Sequence, residues 1–130
     1  PYAMDAPFTS VFDLYRRSLA KLDEHRDALI RVERINGPVM LACGQADALW
    51  PSCPMTEAIV SRLKAERFRF PVQVLEYPGA GHAAFGIPIP AGDPALARLQ
   101  ALGGDAAGNI AARADSWPRA LDFLSRALGR

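Results

Sequence analysis

Cysteine and histidine are scarce in this chain of 130 residues, two of each, and that scarcity excludes several chemistries. Cys43 and Cys53 are too few for the disulfide framework of a small secreted domain. With only His25 and His82 to add, and no C-x-x-C spacing, a Cys/His zinc site has few ligands to draw on. Long apolar runs are missing too, and none approaches the ~18 residues that a membrane helix needs. Neither sign of charge dominates: 15 Lys and Arg stand against 14 Asp and Glu, a formal net charge of +1. Nucleic-acid binding, which shows as a clustered basic face, is therefore not expected. The chain begins Pro1-Tyr2 without an initiator methionine or a stretch resembling a signal peptide, so a trimmed, processed or fragmented product is expected. Unpaired-looking cysteines and the missing signal make the cytoplasm the expected compartment. There is no internal repeat, and the one biased stretch is the Pro/Gly-rich run from Gly86 to Pro94.

What is present suits one folded domain. Half of the residues are hydrophobic and 22% are charged, enough apolar mass for a core. Phe8, Val11, Phe12, Tyr15, Leu19 and Leu22 recur at helical spacing, with Thr9 and Ser10 as candidate caps, and the charges from Lys21 to Asp27 read as that helix's solvated side and end. Val39 to Cys43, bounded by Gly37-Pro38 and Gly44, is a short apolar run without alternation, expected as a strand buried on both faces. Met55, Ile59, Val60 and Leu63 space a second helix, with Ser52 as its cap and Pro54 in its first turn. Val72 to Tyr77 is a second strand, so the strand–helix–strand order predicts two parallel strands joined by a right-handed crossover. After a loop spanning Gly86–Gly104, an Ala-rich helical stretch starts at Asp105. A further helix through Ala114, Trp117, Leu121, Leu124 and Leu128 is expected to be capped afresh at Ser116, with Pro118 in its first turn. The pattern is α/β. Two strands alone leave sheet edges and faces without partners, which predicts part of a larger sheet.

Sites in open α/β sheets lie beyond the carboxyl ends of the strands. Asp47 follows the first strand in Gly44-Gln45-Ala46-Asp47, and His82 follows the second in Tyr77-Pro78-Gly79-Ala80-Gly81-His82. Adjacent parallel strands bring both turns to one edge, where a carboxylate can fix an imidazole's tautomer and leave its other nitrogen as a base. Cys43, inside the buried run, is expected to act as a small hydrophobe. Cys53, near a helix start that could depress a thiol pKa, has no sequence-level partner that would make it a nucleophile. Trp50 is expected to pack over the Asp47 turn or to line an acyl pocket. Phe85 and Ile87 could line the same pocket or cover the sheet edge, and His25 reads as a surface residue.

The segment Gly37 to Ser52, with Gly44-Gln45-Ala46-Asp47-Ala48-Leu49-Trp50-Pro51-Ser52, followed by Tyr77-Pro78-Gly79-Ala80-Gly81-His82, resembles the C-terminal half of an α/β-hydrolase. More narrowly it resembles the catalytic domain shared by acyl-CoA thioesterases and bile acid-CoA:amino acid N-acyltransferases. Gly108-Asn109 through Ala114-Asp115-Ser116-Trp117 to Phe123-Leu124 is similar to that family's terminal helix. The resemblance implies that residues 1–130 are the C-terminal part of a single α/β-hydrolase domain. In it Asp47 orients His82 and His82 activates a Ser or Cys nucleophile; Trp50 and Phe85, read from the residues alone, are the candidate substrate contacts. The G-x-[SC]-x-G pentapeptide that carries the family's nucleophile does not occur in this sequence. The N-terminal half of the same protein is therefore the expected partner, beside a small-molecule acyl (thio)ester, and this chain alone is expected to be inactive. No metal or bound organic cofactor is implied, coenzyme A being part of the substrate; no nucleic-acid or membrane partner is expected, and a homo-oligomer is open. Rival expectations are a carboxylesterase, dienelactone-hydrolase-like or peptidase activity on the same turns, or a non-catalytic interaction domain whose open sheet edge joins another chain.

Overall fold

The computed structural model describes residues 9–129; Phe8, expected to open the first helix's apolar stripe, lies outside them. The chain enters helix α1 (Val11–Ala20) through Ser10, whose hydroxyl accepts from the Asp13 backbone N–H at 3.1 Å. Asp13 in turn meets Arg16 and Arg17, each at 2.9 Å, and hydrogen bonds from those guanidinium groups hold its carboxyl below the usual range. The helix stops at Ala20, short of Leu22. The charged stretch beyond it folds into successive 3-10 turns at Leu22–Glu24, Arg26–Ala28 and Val32–Arg34 rather than continuing the helix.

Strand β1 (Val39–Gly44) and strand β2 (Val72–Tyr77) pair in parallel, in register from Val39 opposite Val72 to Gly44 opposite Tyr77. They make a two-stranded sheet among the described residues, and helix α2 (Ser52–Ala65) crosses over between them. β1 is buried at Val39, Cys43 and Gly44, whereas Val72 and Val74 of β2 are exposed. The strands are therefore apolar on a face that the described residues leave partly open. Arg62 of α2 donates to both carboxylate oxygens of Glu33, at 2.6 and 3.0 Å, and ties the helix to the turn that precedes β1.

Three expectations are corrected here. Ser52 does not cap α2: it is the first helical residue, Pro51 occupies the cap position, and the Ser52 hydroxyl donates instead to the Gly44 carbonyl at 3.1 Å. The stretch read as loop up to Gly104 contains a short helix, α3 (Ala95–Gln100). The terminal region is one helix, α4 (Ala106–Ala127), continuous through Pro118 and capped by Asp105, whose carboxylate accepts from the Gly108 N–H. A proline there forgoes the helical hydrogen bond to the Ala114 carbonyl, and tertiary packing overrides that loss. Ser116 is fully buried beside Ala112 and Ala120 and donates to the Ala84 carbonyl at 3.0 Å, so it serves as a docking contact within the helix. Ala80, Ala84 and Ala112 form a small core there with Tyr77 packed against it. The Tyr77 hydroxyl donates to Asp115 at 2.9 Å, and burial together with that carboxylate pushes the phenol up to about 12.

The cysteines are also not what they were expected to be. Cys43 and Cys53 form a disulfide with Cα atoms 5.1 Å apart, joining the end of β1 to the first turn of α2. α2 packs directly on β1, which places the two side chains together. Cys43 is thus no free core thiol, and Cys53, not expected to be a nucleophile, is tied up in the same bond. The case for the cytoplasm that rested on unpaired cysteines no longer applies.

Candidate functional site

Because β1 and β2 run parallel as neighbours, the turns that leave them emerge on one edge of the sheet and bond to each other directly. The Gln45 N–H donates to the Tyr77 carbonyl and the Ala46 N–H to the Ala80 carbonyl, both at 3.0 Å. This brings His82 Nδ1 to 3.1 Å from Asp47 Oδ2. The Asp47 side chain is 3% exposed and the imidazole 26% exposed, so a buried carboxylate faces a ring that solvent or a ligand can reach. The other carboxylate oxygen accepts from the Leu49 and Trp50 N–H groups at 2.8 and 3.1 Å. The turn after β1 therefore closes around its own acid.

An ionised carboxylate only accepts hydrogen bonds, so the proton between the two side chains belongs to Nδ1. Neutral His82 then carries its lone pair on Nε2, the form that can accept a proton from an O–H or S–H brought to it. Among the described residues the imidazole has no other hydrogen-bond partner. Trp50 stands edge-on to it, ring centroids 4.3 Å apart at 87°, and Tyr15 of α1 packs on Trp50 at 5.4 Å. Trp50 is thus part of the Asp47 turn, as one of its two expectations had it, and its ring lies against the imidazole. Phe85 sits apart: its ring packs against Trp117 of α4 at 6.0 Å and is 45% exposed. His25 lies exposed on the 3-10 segment after α1.

Sequence reading missed the strip that ties the two turns together. The Leu102 carbonyl accepts from both the Ala48 N–H at 3.1 Å and the His82 N–H at 3.2 Å, one bond to each turn. Gly103 and Gly104 follow, at φ +102° and +71°, and form isolated bridges to Asp47 and Ala80. Any side chain on Gly103 would overlap the Ala46 carbonyl. A Gly-Gly pair is a signal of unusual backbone that could have pointed here, but nothing in the sequence says which turns it meets.

Comparison with known proteins narrows the reading. The family described as BAAT / Acyl-CoA thioester hydrolase C terminal matches residues 6–130, nearly the whole chain. The chain belongs to this family. It is also 32% identical over 106 residues to a mouse protein named peroxisomal succinyl-coenzyme A thioesterase, a match that covers 78% of this chain and 25% of that relative. The chain thus spans about a quarter of the length of the thioesterase it matches. Within the acyl-CoA thioester hydrolase family, a mixed fold with a small parallel sheet is a coherent frame for an acid–imidazole pair at strand ends.

Proposed function

We propose that this chain is the C-terminal part of an α/β-hydrolase domain and supplies the acid and the base of a Ser- or Cys-His-Asp triad that cleaves acyl-CoA thioesters. The observation that carries this reading is the 3.1 Å contact between His82 Nδ1 and Asp47 Oδ2 at the ends of adjacent parallel strands. The nucleophile comes from polypeptide outside these 130 residues, since the sequence contains no G-x-[SC]-x-G turn. His82 Nε2 takes the nucleophile's proton as its oxygen or sulfur attacks the thioester carbonyl, and Asp47 stabilises the imidazolium through Nδ1–H. The imidazolium then gives that proton to the departing coenzyme A sulfur, leaving an acyl-enzyme. Water, deprotonated by the same nitrogen, releases the acid and restores the nucleophile. An amine in place of water would turn the same acyl-enzyme into a donor for N-acyl transfer. The mouse relative is named for a succinyl thioester; the class proposed here is acyl-CoA thioester, with the acyl group left open.

Trp50, edge-on to the imidazole, is the nearer candidate for substrate contact, and Phe85, packed on Trp117 of α4, the more remote one. Without the nucleophile and oxyanion hole that the other polypeptide would bring, this chain by itself is expected to be inactive. The test is release of free thiol from an acyl-CoA by the complete enzyme. His82→Ala and Asp47→Asn are each expected to lower kcat by ~10²–10⁴-fold. Wild-type turnover in either variant would overturn the reading.

A further inference from the structure

We infer that Asn109 is a positioning residue for the Asp47–His82 pair, an inference that rests on the function proposed above. Asn109 lies in the first turns of α4 with its side chain fully buried. A buried amide is costly unless both of its ends are satisfied. Here Oδ1 accepts from the Gly81 N–H at 2.9 Å, and Nδ2 donates to the Gly103 carbonyl at 3.2 Å. Gly81 immediately precedes His82. Gly103 immediately follows Leu102, whose carbonyl holds the His82 and Ala48 N–H groups. One side chain therefore joins the peptide before the imidazole to the peptide after the carbonyl that links both turns.

The local geometry explains why an amide does this. Gly81 and Gly103 approach so closely that a Cβ on Gly81 would overlap the Gly103 carbonyl group. Side chains of their own are excluded, and the bridge must come from a neighbouring element. Asn presents a donor and an acceptor on one short, planar group, which matches one free N–H and one free carbonyl. An apolar side chain of similar volume would fill the space and leave both backbone groups without that partner. The consequence falls on the base: the Ala80–Gly81 peptide that Asn109 holds leads directly into His82, and a displacement of about 1 Å passed on to the imidazole is enough to lengthen the Asp47–His82 contact beyond hydrogen-bonding range.

A double-mutant cycle on kcat/KM in the complete enzyme tests this against a merely structural role. Asn109→Ala is expected to lower kcat/KM by up to ~10²-fold, chiefly through kcat. In an Asp47→Asn background, where there is no carboxylate left to align with, the same change should cost less than about threefold. Equal factors in the two backgrounds, or no loss in the first, would overturn the inference. If Asn109→Ala does not fold, Asn109→Asp, which keeps the volume and the acceptor for Gly81 but loses the donor to Gly103, is put through the same cycle under the same criteria. His82→Ala is measured alongside. A fully active His82→Ala enzyme overturns the proposed function and this inference with it. An inactive His82→Ala beside a fully active Asn109 variant overturns this inference alone.

Discussion

At the end of the sheet where β1 and β2 finish, the turns are joined by backbone bonds and short buried side chains such as Asn109; where the strands begin, long charged side chains bridge the segments. Around Asp47 and His82 the bonds run from peptide to peptide, through the Tyr77, Ala80 and Leu102 carbonyls, with glycines packed where no side chain fits. At the opposite end Arg62 reaches Glu33, Arg69 donates to Asn36 at 2.7 Å, and the Arg69 guanidinium lies 4.7 Å from the centre of the Phe70 ring. Flexible ionic side chains tolerate displacement, whereas peptide-to-peptide contacts at van der Waals distance do not. The end with the more exacting construction is the one that must keep two side chains at 3.1 Å.

Substitutions at the two ends should therefore differ in cost. Gly103→Ala puts a methyl group at φ +102° and into the Ala46 carbonyl, and is expected to destabilise by roughly 2–4 kcal/mol in chemical denaturation. Opening the Cys43–Cys53 disulfide frees a loop of separation 10 that carries Asp47. Reductant should then lower stability by about 2–3 kcal/mol on the loop-entropy estimate, an effect that a Cys53→Ser variant would reproduce and that reductant would not deepen in that variant.

At the other end the effects are smaller and depend on pH. The Arg62 guanidinium hydrogen-bonds to Glu33 and holds its carboxyl down at about 2, against 4.5 for the free side chain. A group depressed by folding contributes stability above its unfolded value, and that contribution fades as pH falls through the folded one. The Glu33–Arg62 contribution should be complete above about pH 5 and lost towards pH 2. Glu33→Gln should flatten that part of the stability–pH curve; an unchanged curve would show that the pair does not hold α2. Gly37→Ala, where a Cβ meets nothing within 4 Å, should change stability by no more than about 0.5 kcal/mol. A cost equal to that of Gly103→Ala would erase the contrast between the two ends.

Much of the frame was legible because short-range rules sufficed. Val39–Cys43 is an apolar run closed by Gly and Pro, Val72–Tyr77 lies between Pro71 and Pro78, and the parallel pairing followed from the helix between them. The meeting of Asp47 with His82 was legible for the same reason, since neighbouring parallel strands must end together. What stayed hidden depends on packing between segments distant in sequence. Ser116 and Pro118 form a plausible helix start, yet the burial of Ser116 against Ala84 carries α4 through the proline. Cys43 and Cys53 show no pairing motif, and only the seating of α2 on β1 joins them. The twofold role of the Leu102 carbonyl has no sequence mark at all, because any residue supplies a carbonyl.

The most direct measurement is the tautomer of His82, read from its two side-chain ¹⁵N chemical shifts in the folded protein at a pH where the ring is neutral. The pair of signals that disappears in His82→Gln identifies the ring, whatever other histidines the complete protein carries. Asp47 beside Nδ1 predicts that Nδ1 carries the proton and Nε2 the lone pair, a preference that should weaken in Asp47→Asn. A proton found on Nε2 in the wild-type protein would contradict the assignment of His82 as the base.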